Sequence, residues 1–486
     1  MTARLSLTEI MVRDKRIYFG RFLILAATVA VNTGFFAAVL ALRQANEAVL
    51  GASTKVQQGS DAPEVTPADS ISLSDSSFDQ LSSALPDIAV VAALFISAFF
   101  IYAIFQLLTP QANRTMALLR TVGASPAQVF WQTLQQAFWV GLIGSAFGIG
   151  VGAGLIGLYA GIFDARENFQ FGPHMVLDAE VIAWSVGVGL LATLIAVVAP
   201  AFKTIRISPI RALRISEGTD FSLPRTRIMT GTVLLVCALA FISMEAEGLV
   251  WQNGPFLTLG TVLLLFSLIA LSPALCALPA SFLSIPLRFF SRLSAHLAIK
   301  NVFRHTYRTA ALSAIFLVGL ALVSALAVLT ASVGLPFGVD RDGIPEGNLG
   351  QETAAADHIL SLLYPLLWFS FFVVTFCIFA AFFLSSSERT QEVGLLRGVG
   401  MAPFKVIVMV VFEVVFTSML TGPVGIVSGI GLAATLQIRF DVAEMVTPWS
   451  QLGCLLLGTF VLAALAVVIP IARSTRMPIL QAINEA

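Results

Sequence analysis

Leu118-Leu119-Arg120-Thr121-Val122-Gly123-Ala124-Ser125-Pro126 and Leu395-Leu396-Arg397-Gly398-Val399-Gly400-Met401-Ala402-Pro403 are two versions of one pattern, 277 positions apart. The offset holds downstream, where Gln136 matches Glu413, Gly148 matches Gly425, Gly152 matches Gly429 and Gly154 matches Gly431. Each copy ends alike, with Pro200, Lys203 and Arg206 against Pro470, Arg473 and Arg476, although the following Pro209 and Pro478 are displaced by one residue. Long-range self-similarity at a fixed offset marks one folding unit used twice.

What surrounds the pattern says where the units live. The 486 residues are 57% hydrophobic and 12% charged, with a mean hydropathy of +0.89. A soluble domain is about one-quarter charged, so most of this surface faces something other than water. Apolar runs of membrane-crossing length recur over 22–42, 88–108, 130–160, 181–201, 228–245, 256–280, 310–332, 359–384, 406–436 and 449–472. The expected fold is an all-α polytopic membrane protein of about ten transmembrane helices. Its parts are an amphipathic segment 1–21, a four-span repeat 22–214, a two-span spacer 228–283 and a second four-span repeat 288–486. Four spans plus two is an even number, so the second repeat re-enters with the same orientation and the repeats are parallel rather than inverted.

Charge orients the bundle. With both termini inside, about 23 of the 28 Lys and Arg fall in inner segments, leaving Arg43, Lys55, Arg166, Arg341 and Arg439 outside. Inner loops normally carry the Lys/Arg excess, so the sequence predicts N-in and C-in. The first apolar run has a long charged leader (Arg4, Arg13, Lys15, Arg16, Arg21) and full-span length. It therefore reads as a retained anchor rather than a cleaved signal. The outer segments 43–87 and 333–358 are rich in small and acidic residues. They predict loops, the first with a short helix near its end, and no large extracytoplasmic domain.

Residues for catalysis or metal binding are sparse. Cys237, Cys276, Cys377 and Cys454 all fall in spans and read as small apolar residues. His174, His296, His305 and His358 have no partner at metal-ligand spacing. None of the five lysines follows a glycine, so no phosphate-cradling Gly-Lys-Ser/Thr loop is present and the chain does not read as an ATPase. Glu413 is the main intramembrane charge, with neutral Gln136 in its place in the first repeat. It reads either as a coupled-ion carboxylate or as a polar group near the inner interface. The glycines after each pattern (Gly141, Gly144, Gly148, Gly150, Gly152, Gly154; Gly422, Gly425, Gly429, Gly431) predict close helix packing within one repeat.

The inner connection Glu388-Arg389-Thr390-Gln391-Glu392-Val393-Gly394-Leu395-Leu396-Arg397-Gly398-Val399-Gly400 interleaves charged and apolar residues with a helical rhythm and ends on glycine. It predicts a short rigid helix-turn protrusion, with Leu/Val as anchors and Arg as rim charge for a cytosolic partner.

This stretch, followed by a glycine-rich helix, resembles the FtsX/MacB-like permease domain of ABC transporters, as does the ending Arg206-x-x-Pro209-x-x-Ala212-Leu213-Arg214. The resemblance covers both four-span repeats, and the ten-span layout is similar to single-chain permeases of peptide-antibiotic detoxification systems. It implies a membrane subunit with two copies of a separate cytosolic ATPase, which would hold the ATP and Mg, and no cofactor in this chain. It implies that Arg114, Leu119, Arg120, Gly123, Ala124 and Ser125 in the first repeat form an ATPase-coupling element. The corresponding element in the second is Glu388, Arg389, Glu392, Leu396, Arg397, Gly400, Met401 and Ala402. The first copy departs from the pattern at Thr115, where Glu392 stands in the second. Export or extraction of a lipophilic, lipid-like or amphipathic peptide compound is the implied activity, with membrane lipids as surroundings and nucleic acid as no partner. The alternative is a non-transporting transducer acting on an extracytoplasmic hydrolase or sensor.

Overall fold

The computed structural model describes residues 15–59, 84–107, 123, 125–163, 176–206, 225–246, 256–287, 292–304, 306–334, 346–387, 389–440 and 445–475. Twelve helices account for nearly all of them, and no strand occurs among the described residues. In chain order they are α1 (Lys15–Gly59), α2 (Ala84–Leu107), α3 (Pro126–Phe163), α4 (Ala179–Arg206), α5 (Arg225–Ala246), α6 (Phe256–Leu287) and α7 (Arg292–Arg304), then α8 (Thr306–Gly334), α9 (Glu346–Ser387), α10 (Thr390–Gly398), α11 (Pro403–Phe440) and α12 (Trp449–Ser474).

Nine of these, all but α6, α7 and α10, are long and apolar enough to cross a membrane, judged on the described residues. The tenth expected span lies in α6, a 32-residue helix whose described apolar stretch is Val262–Leu275. The chain is an integral membrane protein. Its outer helices show why: on α12, Leu457, Val461, Leu465 and Ile469 form an exposed apolar stripe, while Thr459, Ala463, Ala466 and Val467 on the other side are buried. A row of large apolar groups on the outside with small ones inside is how a helix faces lipid.

The internal repeat is visible in the packing. In the first unit α1 packs on α3 and α3 on α4; in the second α8 packs on α11 and α11 on α12. The glycines set these contacts. A methyl on Gly148 would lie 2.9 Å from the Ala30 carbonyl oxygen, and one on Gly425 would lie 2.8 Å from that of Leu317. One on Gly152 would meet the Gly34 carbonyl oxygen at 2.9 Å and one on Gly429 that of Ala321 at 2.3 Å. Backbones this close exclude any side chain, as the packing within one repeat requires. The glycine row is narrower than its sequence suggests, because Gly150, Gly154 and Gly431 face open space.

α1, α2, α8 and α9 meet along the seam between the units, where Phe35, Phe100, Phe316 and Phe369 are fully buried in one cluster. The seam is not symmetric. The Asn32 amide on α1 donates to Cys377 Sγ on α9 at 3.4 Å. At the related place on α8, Gly319 lies beside the Phe100 ring of α2, and an added methyl would sit 3.6 Å from that ring. The spacer departs further from symmetry: α6 packs on α8 and α11 of the second unit, and α5 packs on α6.

The outer segments differ from expectation. Residues 43–59 continue α1 as helix and 346–358 belong to α9, so both helices run past their membrane spans where loops are expected. The run from Arg43 to Gly59 has no helix breaker before Gly51, and Arg43 bridges Glu47 at 3.1 Å, one turn on, and Asp87 of α2 at 3.0 Å.

Candidate functional site

The repeated pattern falls at the turn around Gly400 in the second unit, and in the first unit Gly123 and Ser125 are its described residues before Pro126. In the second unit α9 ends at Ser387 and the nine-residue α10 follows. The Gly400 amide donates to the Arg397 carbonyl at 2.9 Å and the Met401 amide to the Leu396 carbonyl at 3.0 Å. This pair of bonds around a left-handed residue is the Schellman ending. Gly400 supplies it with a φ of 97°, a region that side chains with a Cβ avoid. Gly123, its equivalent in the first unit, has a φ of 107°.

The helices that follow start differently. Ser125 caps α3 in both directions: its hydroxyl accepts from the Gln128 amide at 3.2 Å, and its own amide donates to Gln128 Oε1 at 2.9 Å. This is a capping box with Pro126 in the favoured first helical position. Ala402 stands in that place in the second unit and has no side-chain acceptor to offer.

What the second turn presents outward is apolar. Val399 is 90% exposed, Phe404 73% and Leu395 53%, with Gly398, Gly400, Ala402 and Pro403 exposed between them. The family resemblance places Leu396 and Met401 in the coupling element; both are half-buried and packed against the core. Leu395, Val399 and Phe404 are the outward anchors, and Phe404 lies just beyond the repeated motif. Spacing alone does not tell Leu395 from Leu396; the helix phase set by buried Val393 and Gly394 does. Glu392 and Arg397 are half-buried beside this tip and Ala402 is exposed on it.

Arg389 is the residue whose place differs most from a rim charge. It is 4% exposed and makes a two-pronged ion pair with Glu413, Nη1 to Oε2 and Nη2 to Oε1. Glu413 also accepts from the Asn301 amide of α7 at 3.4 Å. Arg308, at the start of α8, donates to Ser385 Oγ at 2.7 Å, and its charge and that of Glu392 act on Glu413 as well. Arg308 and Arg389 against Glu392 and Glu413 make a charge-balanced cluster drawn from α8, α10, α11 and the α9–α10 link. A small cleft lined by Leu312, Phe382, Ser385, Val410 and Thr417 opens beside it.

Gln136, at the Glu413 position of the first unit, is exposed. Arg114, Leu119, Arg120, Ala124 and Glu388 lie outside the described residues. No cluster of His, Cys, Asp and Glu suited to a metal occurs among the described residues.

The chain is a polytopic helical membrane protein whose sequence repeats one turn-and-helix pattern, and its class is given by what that pattern matches. The FtsX-like permease C-terminal family model matches the chain twice, over residues 88–209 and 366–479. These segments are the last three spans of each unit with their turns, so the chain carries the FtsX-like permease C-terminal domain twice. It is also 30% identical, over 132 residues, to an uncharacterised ABC transporter permease protein of Mycobacterium tuberculosis. That match takes in 26% of this chain and 15% of the relative, so it spans a small part of the relative's length.

Proposed function

We propose that this chain is the membrane subunit of an ABC transporter, and that two copies of a separate cytosolic ATPase seat on its two turns. ATP and Mg belong to that partner, whose motion drives extraction or export of a lipophilic, lipid-like or amphipathic peptide compound. The observation that carries the reading is the exposed apolar tip of Leu395, Val399 and Phe404 on a rigid turn, with the same glycine geometry at Gly123. Apolar anchors ringed by charge suit a groove on a protein partner. The Lys/Arg distribution supports placing both turns and both termini in the cytosol, and the protein in a bacterial inner membrane. The filled seam between the units favours handling of cargo at the leaflet over passage through a central pore.

A second reading, a transducer that moves an extracytoplasmic hydrolase or sensor, draws on the far end of the molecule. There α1 and α9 continue past the membrane and are tied by His358 Nε2 to Asn46 Oδ1 at 3.0 Å, a stalk able to carry motion outward. Reconstitution in nanodiscs with the cytosolic ABC ATPases of the source organism, added one at a time, tests the first reading. The permease is expected to bind one of them and raise its hydrolysis rate, and Val399→Asp with Phe404→Asp to abolish both. Absence of binding by the unaltered chain contradicts it. Removal of residues 60–80 separates the two readings: transport survives it under the first and function is lost under the second.

A further inference from the structure

The sequence of the first unit does not repeat the charge pair beneath the second turn. The 277-residue offset puts Ala112 opposite Arg389 and Gln136 opposite Glu413, so both members of the ion pair are neutral there. In the second unit, by contrast, Glu413 is held from two sides, by the Arg389 fork just before α10 and by the Asn301 amide on α7. α7 is fastened a second time: Ser294 Oγ donates to the Lys405 carbonyl at 3.0 Å. These attachment points fall in the same order along both helices, so α7 runs beside the first three turns of α11 as a splint. α10 itself packs on α11 and α12.

From this geometry we infer that Glu413 is a positioning residue. Through Arg389 it pins the second turn to α11, and through Asn301 it pins α11 to α7, so that a push on the tip moves the α11 span as one body instead of flexing the turn. A forked guanidinium–carboxylate pair fixes angle as well as distance, which a single hydrogen bond or an apolar contact does not. A splint stiffens only if both ends are held, and Ser294 and Asn301 are those ends. The assignment of the push to an ATPase rests on the proposed function; the pinning does not. Glu413→Gln writes the first unit's residue into the second.

The structural alternative, that the pair only stabilises the fold, makes a different forecast. Replacing a buried ion pair by apolar residues of similar volume is often neutral for stability. The Arg389→Met/Glu413→Leu variant therefore keeps a fold-stabilising contact while losing the fork. The experiment places spin labels at Val399→Cys and Lys300→Cys, both exposed in the native chain, with native cysteines replaced, and reads the label-to-label distance distribution in nanodiscs. The native pair should give one narrow distribution. Glu413→Gln and Arg389→Met/Glu413→Leu should widen it about twofold, the latter with its unfolding midpoint unchanged. An unwidened distribution in the double variant overturns the pin. In nanodiscs holding the unlabelled permease, with native Val399 and a cytosolic ABC ATPase that the unaltered chain binds, the double variant should still capture the ATPase while its permease-stimulated hydrolysis falls at least tenfold. Full stimulation in a variant with a widened distribution overturns the transmission step. If the unaltered permease stimulates no ATPase, the docking reading fails, and the distance measurement still decides the pin.

Discussion

At the scale of single residues the fold depends on where a Cβ is forbidden. Gly429 sits where an added methyl would lie 1.9 Å from Ser324 Oγ and 2.3 Å from the Ala321 carbonyl oxygen. Gly431, two residues on, faces open space. Gly429→Ala should therefore lower the unfolding midpoint in detergent by several degrees, and Gly431→Ala should leave it unchanged or raised, since alanine is the better helix former. Gly400 is limited by torsion, because nothing lies near its missing side chain but its φ is 97°. Gly400→Ala should cost about 1 kcal/mol locally and weaken ATPase capture with little change in global unfolding. Both roles were half legible. The repeat singled out these glycines, yet sequence cannot say which face of a glycine-rich helix meets a neighbour, and Gly150 and Gly154 look no different from Gly148 and Gly152. The Arg389–Glu413 pair was not legible at all. Its partners are 24 residues apart across a turn, and each taken alone reads as a surface charge or an isolated acid.

At the scale of elements, the turns were legible because glycine, proline and capping residues act locally. The Schellman ending at Gly400 and the box at Ser125 follow from a few residues each. Ser125→Ala should destabilise the start of α3 by about 1 kcal/mol, read as faster amide exchange over the first turn of α3, with no effect on the Ala402 side. The outward anchors required the helix phase. Replacing Val399 or Leu395 by Asp should reduce ATPase capture by tenfold or more while leaving the unfolding midpoint unchanged, because neither side chain packs in the core. Leu396→Asp, on the inward side of the same helix, should instead lower the midpoint. The opposite pattern would mean that the partner reads the inward face. The helical continuation of α1 and α9 beyond the membrane was missed because small polar residues carry no apolar period, and their helix is supported by neighbours such as Asp87 rather than by a buried face.

At the scale of the whole molecule, apolar run length gave the nine spans found among the described residues, and the even count between repeats predicts their parallel sense. Which helices form the seam was beyond composition, since lipid-facing and partner-facing apolar residues look alike in lipid. The seam offers its own check. Asn32 and Cys377 are in hydrogen-bond contact across it, so Asn32→Cys should form a disulfide with Cys377 under oxidation, retained in an Asn46→Ala background. If that bond fixes the units, permease-stimulated hydrolysis should stop and return on reduction. Unimpeded hydrolysis would show that the α1–α9 contact does not move in the cycle.

The account stands on one chain offering two docking turns to one ATPase dimer. The mass of the intact permease–ATPase complex released from nanodiscs, read by native mass spectrometry, tests this most directly. One permease chain with two ATPase chains is the predicted composition. A complex of two permease chains with two ATPase chains, or of one with one, would contradict it.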